Sequence, residues 1–177
     1  MRNRSLAALV PVAVSFAVCG ALSGLAENSD FFWWLGIPFA FLCAVLCLRK
    51  KSMGARVAGV IGYAAIWPIA YFSAIRIGWL TGNDPLGIGV AGVIGALSVT
   101  IVTLIECSSL SETLSEWKSL FTASVIGGIA AVPLALAFRP GSPDRKWLSL
   151  SGFAVWQAAV GTYLYFIYRK ERDKRRG

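Results

Sequence analysis

Few side chains in this sequence could do chemistry, and they sit at the margins of long apolar runs. Arg76 is the exception, the one arginine inside such a run. A charge at mid-bilayer costs about 3 kcal/mol on insertion scales, so it calls for a partner or for water. Asp84, Glu27 and Asp30 stand in turns that would share one side of a membrane with it, and each could pair with it. Gln157 lies in the middle of another apolar run beside Trp156, and its amide would go unsatisfied in hydrocarbon unless it faces protein. Trp33, Trp34 and Trp79 flank the same side. Arg76, Asp84, Glu27, Asp30, Gln157, Trp33, Trp34 and Trp79 are thus the candidate polar or ligand-facing residues. Grouped around Arg76, they suit an outward-facing pocket for a small, anionic molecule.

What is missing narrows the chemistry further. The chain has no histidine, no lysine inside an apolar run and no two acids in the interior of one run. Intramembrane hydrolysis needs a nucleophile with a base, or paired carboxylates, so the protein is expected not to be an enzyme. Cys19, Cys43, Cys47 and Cys107 form no CxxC pair and have no histidine to complete a zinc site. They read as buried structural thiols, and no catalytic residue, metal or cofactor is expected.

The direction of Arg76 follows from helical phase. At about 100° per residue, Ala58 lies at nearly the same angle eighteen residues earlier, with Gly62, Ala65, Ile69 and Ser73 close to that line. Small residues at four-residue spacing let helices approach in a bilayer, so Gly54-Ala58-Gly62 reads as an inward ridge and Arg76 as its continuation. A proline at position 68 would disturb this phase. Arg76 is also only about 6 Å of helix rise from Leu80, within snorkelling reach of headgroups.

The elements that must position these residues are membrane helices. With 56% hydrophobic residues, 12% aromatics and a mean hydropathy of +0.65, the 177-residue chain falls outside the range of soluble domains. The spacing predicts an all-α polytopic bundle of six transmembrane helices, at about 5–25, 31–48, 57–80, 86–105, 120–138 and 148–168. These form a single domain, 1–168, followed by a basic tail, 169–177. The first span would also suit a signal peptide, since Gly24-Leu25-Ala26 offers small residues before Glu27. Leu110, Leu114 and Trp117 recur at helical spacing behind a Ser109/Glu112 capping box, which predicts a short surface helix near 109–119.

Charge sets orientation and partners. Thirteen Lys and Arg residues fall in the connections on one side of this arrangement and three on the other, which places both termini in the cytoplasm. The net charge of +8 is spread over short connections and the tail, not gathered on an aqueous face, so nucleic acid is not an expected partner. The tail should meet anionic lipids of the inner leaflet. The expected location is a bacterial plasma (inner) membrane.

Three further ridges, Ala13-Ala17-Ala21, Gly87-Ala91-Gly95 and Ala123-Gly127-Ala131, predict close helix packing. Ala58-Gly-Val-Ile-Gly62 recurs at 91–95 and, as Ala-Ser-Val-Ile-Gly, at 123–127, with prolines at 68 and 133 ten residues after two of the alanines. A repeated helical hairpin and coincidence both account for it. Two functional readings remain. The first is a non-enzymatic assembly or structural subunit of a membrane complex, bound to other membrane subunits. The second is a transport or small-molecule-binding subunit with its pocket around Arg76.

Overall fold

The structure is a computed structural model that describes residues 2–27, 36–47, 52–107, 116–139, 141 and 145–174. Apolar sequence with no strand-forming alternation leaves the backbone one way to satisfy its own polar groups, which is helix. The described residues form seven: α1 (Arg2–Glu27), α2 (Ile37–Cys47), α3 (Met53–Thr81), α4 (Asp84–Cys107), α5 (Trp117–Ala130), α6 (Val132–Ala137) and α7 (Arg145–Lys174). Four stretches are long and apolar enough to cross a membrane: Arg56–Thr81, Asp84–Ile105, Trp117–Ala137 and Lys146–Asp173. Leu9–Leu25 and Ile37–Leu46 are shorter apolar helices.

The turn at 82–85 forms as its residues dictate. Gly82 takes φ +64°, a left-handed conformation that glycine adopts without strain, and Asn83 N–H donates back to the Gly78 carbonyl at 3.1 Å. Asn83 then caps α4, its side-chain oxygen accepting from Leu86 N–H at 2.9 Å.

Proline acts differently at each site. Pro11 and Pro68 stay inside continuous helices, so the expected break at 68 does not occur. In apolar surroundings one lost backbone bond does not end a helix, because no alternative conformation would satisfy the neighbouring peptide groups. Pro133 does coincide with a break: α5 stops at Ala130, Ala131 bridges, and α6 restarts with the proline in its first turn, where a missing N–H is harmless.

Helix ends differ from the sequence expectation at two places. Of the surface helix expected near 109–119, residues 109–115, with Leu110 and Leu114, lie outside the described residues. Trp117, Lys118 and Ser119 instead form the first turn of α5, because the Glu116 carbonyl accepts from Ser119 and Leu120 N–H and the Glu116 carboxylate takes the Ser119 hydroxyl at 3.1 Å. The tail does not separate at 169: α7 runs on to Lys174, with Lys170 3.4 Å from Glu116 across the helix interface.

Packing rests on small residues, though not all the expected ones. α1 lies along α7, where a Cβ on Gly20 would fall 2.3 Å from the Phe153 carbonyl oxygen and one on Gly161 2.3 Å from the Phe16 ring. α4 meets α5 through Gly92 and Ala96 against Gly127 and Ala131; a Cβ on Gly127 would lie 2.4 Å from the Gly92 carbonyl oxygen. The Ala123-Gly127-Ala131 ridge therefore packs inward. The Gly54-Ala58-Gly62 ridge does not, since Gly54 and Ala58 are exposed and Gly62 meets only Val102 at an ordinary distance. Around these seams lie the fully buried Phe16, Tyr63, Val99, Leu104, Val160 and Leu164.

The three copies of the repeated pentapeptide occupy unlike surroundings. Ala58 is exposed, Ala91 is half-buried and Ala123 is buried.

Candidate functional site

The most structured polar chemistry sits in a cavity of about 390 Å³ between α2, α3, α4, α6 and α7, at the end of the bundle that carries the Gly82 turn. Its size is within the range of small-molecule sites. α3 contributes one face at helical spacing, Tyr63, Trp67, Ala70, Tyr71 and Ala74, about 150° around the helix from Arg76. α4 contributes Ile88, Ala91, Gly92 and Gly95, whose lack of bulk makes the room. Leu134 and Phe138 close it from α6, Gly36 and Phe39 from α2, and Phe153, Trp156 and Gln157 from α7.

The walls are aromatic and mutually packed. Trp67 and Phe153 rings lie 5.4 Å apart, Phe39 and Trp156 6.0 Å, and Phe16 and Phe39 5.4 Å, all tilted, a geometry that aromatic quadrupoles favour. The Trp156 indole lies across Gly92 and Gly95, with Nε1 3.4 Å from where a Gly92 Cβ would be.

Two buried polar atoms on this wall lack protein partners. Gln157 is 2% exposed. Its Nε2 donates to the Ser23 hydroxyl at 2.8 Å, and that hydroxyl donates to the Cys19 carbonyl at 3.0 Å. The chain of donors fixes the amide's orientation, since Ser23 has its proton committed to the backbone and needs a donor in return. Gln157 Oε1 is left as a buried acceptor with no partner, and Trp156 Nε1 as a buried donor with none. A buried polar group without a hydrogen bond costs about 1 to 3 kcal/mol, so these two atoms of wall residues are costly features of the packing beside the cavity. Tyr63 is already satisfied, donating at 2.8 Å to Thr103, whose own proton goes to the Val99 carbonyl.

Asp84 stands at the rim, exposed and one residue past the α4 cap, where the helix dipole favours its negative charge. It is the one carboxylate lining the cavity among the described residues.

No family model matches the chain, and no curated protein and no solved structure matches it either. The site therefore stands on its own geometry.

The structure brings together two of the sequence candidates, Gln157 and Asp84, and separates others. Arg76 is exposed, lies off the cavity wall, and forms no ion pair with Asp84. It does share a face with Ala58, Ala65 and Ile69, as the phase argument requires, but that face points away from the bundle. Trp79 is 79% exposed at the end of α3. Glu27 ends α1, while Trp33, Trp34 and Asp30 lie outside the described residues. Sequence reasoning missed Trp156, Trp67 and Tyr71 as wall residues. The available signal was the stripe Tyr63, Trp67, Tyr71 at four-residue spacing, which a plain core helix would also show.

Proposed function

We propose that this chain is a six-span inner-membrane protein, with both termini cytoplasmic, that binds a small molecule in the cavity between α3, α4 and α7 as a transport or binding subunit. The observation that supports this reading is a cavity of ligand size, lined by aromatic side chains and Gln157 and carrying the Asp84 carboxylate at its rim. Packing alone would place apolar side chains there. The excess of Lys and Arg in alternate connections supports the orientation, which puts the cavity mouth on the outer side. The exposed Trp79 and Trp147 then form an aromatic belt at that surface, Trp117 marks the opposite one, and Arg76 reaches outer headgroups as an anchor. The basic end of α7 meets anionic lipids. The role in this reading is binding or transport, with no chemical step assigned to the site.

The reading of a structural subunit keeps one observation in its favour, the outward face of α3 with Gly54 and Ala58 exposed. Fragments of about ten to fifteen non-hydrogen atoms, neutral, cationic and anionic, separate the two readings by thermal stabilisation of the purified protein in a zwitterionic detergent. Binding predicts that some fragment stabilises the wild type and fails to stabilise Ala91→Trp, which fills the cavity. Silence across the whole set refutes it.

A further inference from the structure

We infer that α6 is a movable wall of the cavity: held on α7 it leaves the space open, and returned to the axis of α5 it closes the end near Asp84. This rests on the cavity of the binding reading and adds how access to it is controlled.

Helical phase gives α6 a second place to go. Ala123, Gly127, Ala131, Leu134 and Phe138 follow one another at four- and three-residue spacing, so on an unbroken helix all five would share one face. Gly127 and Ala131 of that face already sit against α4, Gly92 meeting Ala131 and Ala96 meeting Gly127. Continued along the same antiparallel line, Leu134 would come level with Ile88 and Gly89, and Phe138 with Asp84 and Pro85. Instead Leu134, Phe138, Ile88 and Asp84 all line the cavity. The open space therefore lies where an unbroken helix would pack.

The break lets α6 leave that line. Pro133 has no N–H, the backbone across Ala131 donates to the Gly127 and Ile129 carbonyls, and α6 restarts with no side-chain cap. Ala131, 1% exposed and set against Gly92, is the fulcrum. Beyond it α7 takes over. A Cβ on Gly152 would fall 2.7 Å from both the Leu134 Cα and its N, so glycine at this position is what seats the α6 backbone on α7. The far end is lightly tethered. Phe138 and Arg139 N–H donate three residues back at 3.3 Å each, just beyond the usual range, and Gly141 turns the chain at φ +78°. A six-residue helix between a proline break and a left-handed glycine can swing as a unit.

The full chain, with its four cysteines changed to alanine, tests this in zwitterionic detergent with no ligand present. Leu86→Cys and Leu136→Cys, at exposed positions, carry spin labels whose separation reports how far α6 stands from the start of α4. In a separate variant, Ala91→Cys on the cavity wall reports access through its rate of modification by a water-soluble maleimide. Pro133→Ala restores the missing N–H, and should shorten the label separation by about 3 Å or more and slow the modification at least about fivefold. Gly152→Leu removes the seat on α7 and should act in the same direction; if circular dichroism shows that it does not fold, Pro133→Ala decides alone. Ile129→Ala, on the outward face of α5, should move neither readout. The inference is overturned if Pro133→Ala leaves the separation unchanged, if the separation shortens while Ala91→Cys keeps its reactivity, or if reactivity falls at constant separation. Silence of the fragments would refute the binding reading and leave these two readouts standing, whereas failure here leaves the fragment result intact.

Discussion

Gln157 on α7 donates a 2.8 Å hydrogen bond to Ser23 on α1, 134 residues away, and the oxygen of the same amide is left buried without a partner. A helix pair that otherwise meets through glycine and aromatic surfaces is thereby given one polar fixed point. Removing either partner has a different effect, because the two leave different orphans.

Ser23→Ala leaves the Gln157 amide buried with neither end paired. The expected loss is about 1 to 3 kcal/mol of stability. Gln157→Leu removes the orphan oxygen with the amide and should cost clearly less. Unfolding of the purified variants in a denaturing detergent series checks the order, which would be reversed if the amide served packing alone.

The α4–α5 seam has no room for a side chain at Gly127. Gly127→Val should force the helices apart and cost about 1 to 3 kcal/mol or more, with the added atoms directed at Ala96 and the Gly92 carbonyl. Gly54→Ala, in open space near the start of α3, should be neutral or stabilise by about 0.5 to 1 kcal/mol through helix propensity. Comparable destabilisation by both changes would contradict the packing.

Arg76 and Asp84 should behave as strangers. Arg76→Leu and Asp84→Leu are each expected to change stability by no more than about 1 kcal/mol, and the double variant by the sum, because the two side chains form no ion pair. A coupling of several kcal/mol in this cycle would show that the two are joined in the bilayer.

The end of α7 is expected to be ordered as far as Lys174. Spin labels placed singly at positions 169 to 173 should show mobility with helical periodicity, least at Glu171, which is buried. Uniformly high mobility would mean a free tail. Breaking the Lys170–Glu116 contact with Glu116→Gln should cost little, about 0 to 1 kcal/mol, and less still at high salt.

The sequence by itself determined that the chain is helical and where most helices turn. Apolar runs of bilayer length can satisfy their backbone only as helix, and Gly82-Asn83-Asp84-Pro85 carries its turn and cap in four residues. It also determined the phase of Arg76, which does lie in line with Ala58, Ala65 and Ile69. Which face of α3 turns inward was decided only by the tertiary structure. Glycine and alanine occur on both sides of that helix, and lipid and protein interior are equally apolar, so composition offers no sign to the phase. The fit of α4 against α3, where a Cβ on Gly87 would sit 2.3 Å from the Ala74 carbonyl oxygen, selected the face bearing Ala70, Ala74 and Gly78. That choice turned Arg76 outward and set Trp67 and Tyr71 toward the cavity. The orphan oxygen of Gln157 was equally invisible in one dimension, since it depends on Ser23 having already given its proton to the backbone of α1.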